Sequence, residues 1–158
     1  MNKLLGIVLY DLTLSLWVGG MAIFTFIVTP AIFRSFDRDM AGRIVGALFN
    51  GYFTYNLTLS IVALALAFVV WPDRAQTAFK VTLLLIACAI AVNIYISFKL
   101  HPDIVEVKRQ IASFVTTPKD SPLRSQFTRM HAVSAILNLL LLADGVTLLV
   151  IRAFKLNK

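Results

Sequence analysis

Residues 51–71 read GYFTYNLTLSIVALALAFVVW, a stretch without one charged side chain. An α-helix needs about 20 mainly apolar residues to cross the hydrocarbon core of a bilayer. This stretch has that length, and three others resemble it. Leu4 to Phe33 is interrupted only by Asp11, Val81 to Phe98 by nothing, and Ala132 to Ile151 only by Asp144. The pattern predicts one membrane domain over 1–158. Its fold class is an all-α integral membrane four-helix bundle, with transmembrane helices at about 4–29, 51–71, 78–100 and 130–152.

Composition agrees. Hydrophobic residues make up 59% of the 158 residues and mean hydropathy is +0.83, which excludes an ordinary soluble domain. The net charge of +7 comes from 15 basic and 8 acidic residues. Nearly all of them lie between or beyond the apolar runs, where they meet headgroups and water. The partner implied is the lipid bilayer, with a homo-oligomer or a membrane partner protein as further candidates. No basic face interleaves with aromatics outside the runs, so nucleic acid is not expected.

The first run superficially resembles a signal peptide. It is too long for a signal's apolar region and lacks a small-residue cleavage pattern before Pro30, so it reads as a retained helix. Pro30 is expected to end that helix at Thr29. Asp11, Ser15, Val18, Ala22, Thr25 and Thr29 recur at three- and four-residue intervals, a small and polar face expected to point inward, with Trp17 on another face. Helices two to four are expected to overrun the bilayer on one side through amphipathic extensions at about 38–50, 103–115 and 122–130. Asp37 or Asp39 is the expected N-cap of the first extension, and His101-Pro102 a kink or break. The segments 34–50 and 99–129 then share one face of the membrane, the loop face. Both termini and the 72–80 turn share the other. Short basic segments on the terminal face favour cytoplasmic termini in a bacterial inner membrane.

Both histidines belong to the loop face. Folding the chain back at Thr116 to Ser121 brings His131 level with Glu106 and within about two turns of His101. Imidazole and carboxylate suit a divalent or copper-like metal, so His101, His131 and Glu106 form a candidate metal set. Capping and hydrogen bonding at headgroup level is the other reading. Asn56, Asn93 and Asn138 lie at comparable depth below it, as polar glue between helices or as the wall of a hydrated vestibule. Asp11 and Asp144 lie about 12 Å inside the terminal face, with no Lys or Arg at that depth within either run. They are either a hydrogen-bonded structural pair or a proton or cation relay. Cys88, the only cysteine, sits mid-way along the third run as a small core residue or a thiolate ligand. No phosphate loop, nucleophile elbow or paired-ligand motif appears, so an enzyme is not expected.

Several short patterns follow in order: Trp17-Val18-Gly19-Gly20, Pro30-Ala31-Ile32-Phe33, Ala41-Gly42-Arg43-Ile44, His101-Pro102, and Phe127-Thr128-Arg129-Met130-His131 through Asn138. Together they resemble the transmembrane-protein-two-hundred-five-like family of small four-helix membrane proteins of unknown function. A more distant likeness is to the copper-resistance membrane domain, which has a similar Trp-x-Gly-Gly start. The resemblance implies a four-helix membrane protein linked to platinum-drug resistance, and hence to metal export or vesicle traffic. The cysteine-rich character of the animal relatives is not matched, because Cys88 stands alone. The motif positions carried over are Trp17, Gly19, Gly20, Pro30, His101, Pro102, His131 and Asn138.

The function expected from these residues is binding or transport of a metal ion or small ligand. The alternatives are a non-transporting accessory or scaffold subunit, and a haem- or quinone-binding module.

Overall fold

The computed structural model describes residues 3–71, 73–111, 113–118 and 120–156. Among them are four long helices and no strand: α1 (Lys3–Ser35), α2 (Arg38–Val70), α3 (Thr77–Arg109) and α4 (Pro122–Leu156). Each is apolar enough to cross a membrane. At 1.5 Å per residue each is about 50 Å long, against a hydrocarbon core of about 30 Å. The helices run alternately up and down in a ring. Each packs along its two neighbours, and the diagonal pairs are not in extended contact.

Helix α1 corrects one expectation. It does not stop at Thr29 but continues through Pro30 to Ser35, so all four helices have the length to overrun the bilayer. The means is a π-helical turn over Phe24–Val28, in which the Thr29 N–H donates to the Phe24 carbonyl five residues back. Proline cannot donate, and its ring crowds the carbonyl four residues earlier. Widening the preceding turn lets the chain accommodate both without breaking. Helix α3 repeats the device over Ile96–Leu100, immediately before His101-Pro102, with the His101 N–H bonded to the Ile96 carbonyl. His101-Pro102 is therefore a widened turn inside one helix.

The second correction concerns how much of α1 points inward. Tyr10, Leu14, Trp17 and Met21 are fully buried in the core, while Ser15 is exposed and returns its hydroxyl to the Asp11 carbonyl. The rest of the small, polar row flanks the bulky one and meets α4: Asp11 pairs with Arg152, Val18 sits against Gly145, and Thr25 accepts from Asn138. Trp17 belongs to one buried cluster with Ala63, Ala67, Ile86 and Leu148 from the other helices. Tyr10 meets Trp71 edge-on, with ring centroids 5.3 Å apart.

The opposite stripe of α1, with Leu4, Val8, Leu12, Leu16, Ile23 and Ile27, is exposed. Such a stripe is a liability in water and is the expected contact surface in lipid. Cys88 lies exposed on α3 and is not a core residue. Close helix approach occurs at small residues: a Cβ at Gly145 of α4 would stand 2.7 Å from Val18 Cγ2 of α1, and one at Gly20 would stand 2.6 Å from the Tyr55 ring.

Candidate functional site

The loop-face end of the bundle encloses a cavity of about 690 Å³ to which all four helices contribute. The π turns position two of its walls. On α1, Thr29 and Phe33 line it from the turn after the bulge; on α3, His101 and Pro102 do the same. His101 is enclosed edge-on by Phe49 and Phe53 of α2, at 5.6 and 5.2 Å between ring centroids. His131 of α4 also lines the cavity, its ring parallel to Phe127 one turn earlier. The two histidines, 30 residues apart in sequence, thus share one chamber.

Glu106 does not join them. It is exposed, pairs with Arg109 at 3.1 Å and accepts from Gln110. Among the described residues no three His, Cys, Asp or Glu side chains converge as metal ligands. The charged residues that do line the chamber are Arg38, Arg43 and Lys108, with no carboxylate among its lining residues. Lys108 Nζ donates to the Gly42 carbonyl across the α2–α3 contact. A Cβ at Gly42 or Gly46 would stand 3.4 or 3.6 Å from that ammonium, so the two glycines form the groove in which it lies. Lys108 is close enough for its charge to act on both imidazoles.

The mouth is tied down by α2 and the segment after α3. Asp37 is the N-cap of α2 and accepts from the Asp39 and Met40 amides. Asp39 is left to accept from Ser113 Oγ at 2.6 Å and from the Phe114 N–H at 2.9 Å. Phe114, buried beneath this clasp, faces the cavity and packs against Phe127. The Arg38 and Arg124 guanidiniums lie 5.3 and 5.8 Å from its ring centroid.

Below the cavity, Tyr52 of α2 donates its hydroxyl to Asn138 Oδ1, and Asn138 Nδ2 donates to Thr25 Oγ1 at 2.9 Å. The Tyr52 ring stacks on Phe24 with centroids 4.2 Å apart. This chain joins α1, α2 and α4. Of the other two asparagines, Asn93 donates back to the Ala89 carbonyl within its own helix, and Asn56 is buried one turn after Tyr52, close enough for its amide to act on the Tyr52 hydroxyl.

At the opposite end, Asp11 has a cation after all. Arg152, near the end of α4 and buried, turns back to place Nε 2.7 Å from Asp11 Oδ1. The expectation that no basic group reaches that depth fails because a guanidinium on a long stem can reach inward from the helix end. Asp144 Oδ2 and the Tyr10 hydroxyl are buried nearby without hydrogen-bond partners.

Of the sequence-derived positions, His101, Pro102 and His131 reach the cavity. Trp17 is core, Gly20 seats Tyr55, Gly19 faces open space, and Pro30 follows the α1 bulge. The residues missed were Arg38, Arg43, Lys108, Tyr52 and Arg152. Lys108 had a signal, since His101, Ile104 and Lys108 recur at helical spacing on one face. Tyr52 had none, because an aromatic inside an apolar run reads as hydrophobic.

Fold and cavity together define a small four-helix membrane protein with a basic, ligand-sized chamber at one end. A family model described as "Domain of unknown function (DUF4149)" matches residues 12–113, and the chain belongs to that family. No curated protein and no solved structure matches it. The matched range includes His101 and Lys108 and ends before α4, which supplies His131, Asn138 and Arg152.

Proposed function

We propose that this protein binds a small ligand in the loop-face cavity, without catalysing a reaction on it. The observation that carries this reading is the convergence of all four helices on one chamber of about 690 Å³ containing both histidines. Ligand sites commonly have volumes of about 300–1,000 Å³ and mostly apolar walls with a few placed polar groups. A metal ion is the less suitable occupant. Arg38, Arg43 and Lys108 would repel it, and Glu106 is engaged elsewhere. The resemblance to the transmembrane-protein-two-hundred-five-like and copper-resistance proteins supports a membrane role and, on this wall, no particular metal. Transport through Asp11 and Asp144 is a weaker proposal than a structural clamp, because Arg152 already neutralises Asp11. Cytoplasmic termini in a bacterial inner membrane rest on the charge of the short segments alone.

The test is a thermal-stability screen of small lipid-soluble compounds on purified wild type and Gly46→Leu, whose added side chain would occupy the cavity. Compounds that raise the wild-type midpoint and not that of the variant support the reading. Equal effects on both proteins would sink it.

A further inference from the structure

We infer that the ligand is an anionic amphiphile, with a phosphate- or carboxylate-type head bound by Arg38, Arg43 and Lys108 and an acyl chain running inward. The inference rests on the cavity reading above and adds the ligand's chemistry. Three observations lead to it. The first is sign: the lining residues include two arginines and a lysine and no Asp or Glu. Asp39, whose charge reaches all three, accepts from Ser113 and Phe114 and offsets only part of the positive charge. Lys108 spends one of its donors on Gly42, which leaves ammonium hydrogens for a ligand.

The second is shape. On α2 the lining residues run from Arg38 to Asn50, a span of about 18 Å at 1.5 Å per residue. A bare phosphate would leave most of the 690 Å³ empty.

The third is polarity along that length. The cations stand at the outer end, where the bundle overruns the bilayer. The inner end is lined by Thr29, Asn50, His101 and Ser134, with no Lys, Arg, Asp or Glu among them, beside the ring of Phe49. An amphiphile already oriented in the adjoining leaflet has this same order, head outward and chain inward. Arginine can engage such a head through two parallel N–H bonds, with lysine contributing a point charge.

The experiment uses the full chain in phosphatidylcholine nanodiscs and three radiolabelled probes: 1-oleoyl lysophosphatidate, oleyl alcohol and inorganic phosphate. The expected result is one lysophosphatidate per chain, bound at least about tenfold more tightly than oleyl alcohol or phosphate, a ratio appropriate to one charged hydrogen bond or more. Arg43→Gln with Lys108→Gln weakens lysophosphatidate by about tenfold or more and leaves oleyl alcohol unchanged. Gly46→Leu abolishes both. If oleyl alcohol matches lysophosphatidate and both are lost in Gly46→Leu, the anionic class is overturned and the cavity reading stands. If phosphate alone binds as tightly, the amphiphile is overturned in favour of a free anion. Binding indifferent to Gly46→Leu overturns both readings. The three-probe comparison on wild type decides the ligand class even where a variant fails to fold.

Discussion

Arg152 Nε lies 2.7 Å from Asp11 Oδ1 and its Nη2 lies 3.3 Å from Oδ2, joining residues 141 apart where α1 begins and α4 ends. The two partners are unequally placed: the Arg152 side chain is 6% exposed and that of Asp11 38%. Removing Asp11 strands a buried guanidinium, whereas removing Arg152 strands the less buried of the two partners. Asp11→Leu is therefore expected to destabilise by about 3 kcal/mol and Arg152→Leu by about 1 kcal/mol. The double variant should recover most of the loss. Thermal or denaturant midpoints in detergent check the order, and a larger cost for Arg152→Leu would contradict it.

The α1–α4 contact turns on Gly145. Its missing side chain leaves room for Val18, whose β-branched side chain has few alternative rotamers. Gly145→Ala is expected to cost about 1–3 kcal/mol, and Val18→Ala in the same chain should relieve it. Gly19→Ala is the control, since nothing lies within 4 Å of a Cβ there. It should be neutral or stabilising by about 0.5–1 kcal/mol through helix propensity. A Gly19→Ala cost equal to that of Gly145→Ala would show that packing is not the reason.

Tyr52→Phe removes the donor to Asn138 Oδ1 and leaves that carbonyl unpaired inside the bundle. A loss of about 1–2 kcal/mol is expected. Once Asn138 has been replaced by Leu, the same Tyr52 substitution should cost much less, because the group it orphaned is gone. Additive losses in this double-mutant cycle would mean that the two side chains are not coupled.

The clasp between Asp39 and the segment after α3 should govern the opening of the cavity mouth. Asp39→Ala removes the acceptor of both the Ser113 hydroxyl and the Phe114 amide. Hydrogen exchange at the Phe114 amide is expected to accelerate about tenfold, the equivalent of one hydrogen bond. Exchange in the buried turns around Ala63 should not change. Unchanged exchange at Phe114 would mean that the clasp does not hold the segment.

Cys88 is exposed on α3 yet lies in the middle of an apolar run. In intact membranes it should resist a water-soluble maleimide, because the reagent and the thiolate both need water. Ser125→Cys, exposed at the loop-face end, should react. With cytoplasmic termini, that reaction occurs from outside the cell with an impermeant reagent. Labelling only after permeabilisation reverses the orientation.

Particular residues show how far the sequence could be read. That Asp37 or Asp39 caps α2 was legible, because capping is a local contact between neighbours, and the structure selects Asp37. The placing of both histidines at the loop end was legible too, since it needs only the order of spans and turns. The inward face of α1 was legible only in part. In lipid both sides of a helix are apolar, so periodicity carries little of the signal it carries in water. The small, polar row was expected to point inward, and only packing showed that it lies against α4 while the bulky row through Trp17 fills the core. Proline was misread at Pro30 for a different reason. The turn that rescues the helix lies before the proline, in Phe24–Val28, whose sequence carries no mark of it.

By itself, then, the sequence determined the solvent, the number of spans and the end of the bundle where polar chemistry collects. These follow from the length of apolar runs against bilayer thickness and from charges that avoid hydrocarbon, both properties of contiguous residues. The tertiary structure alone decided that His101 and His131 share a chamber with Arg38, Arg43 and Lys108, that Glu106 turns away, and that Arg152 reaches back to Asp11. Those contacts depend on how each helix is rotated about its axis. That rotation is set by side-chain volume and by two π turns at the helix–helix contacts, between residues far apart in the chain.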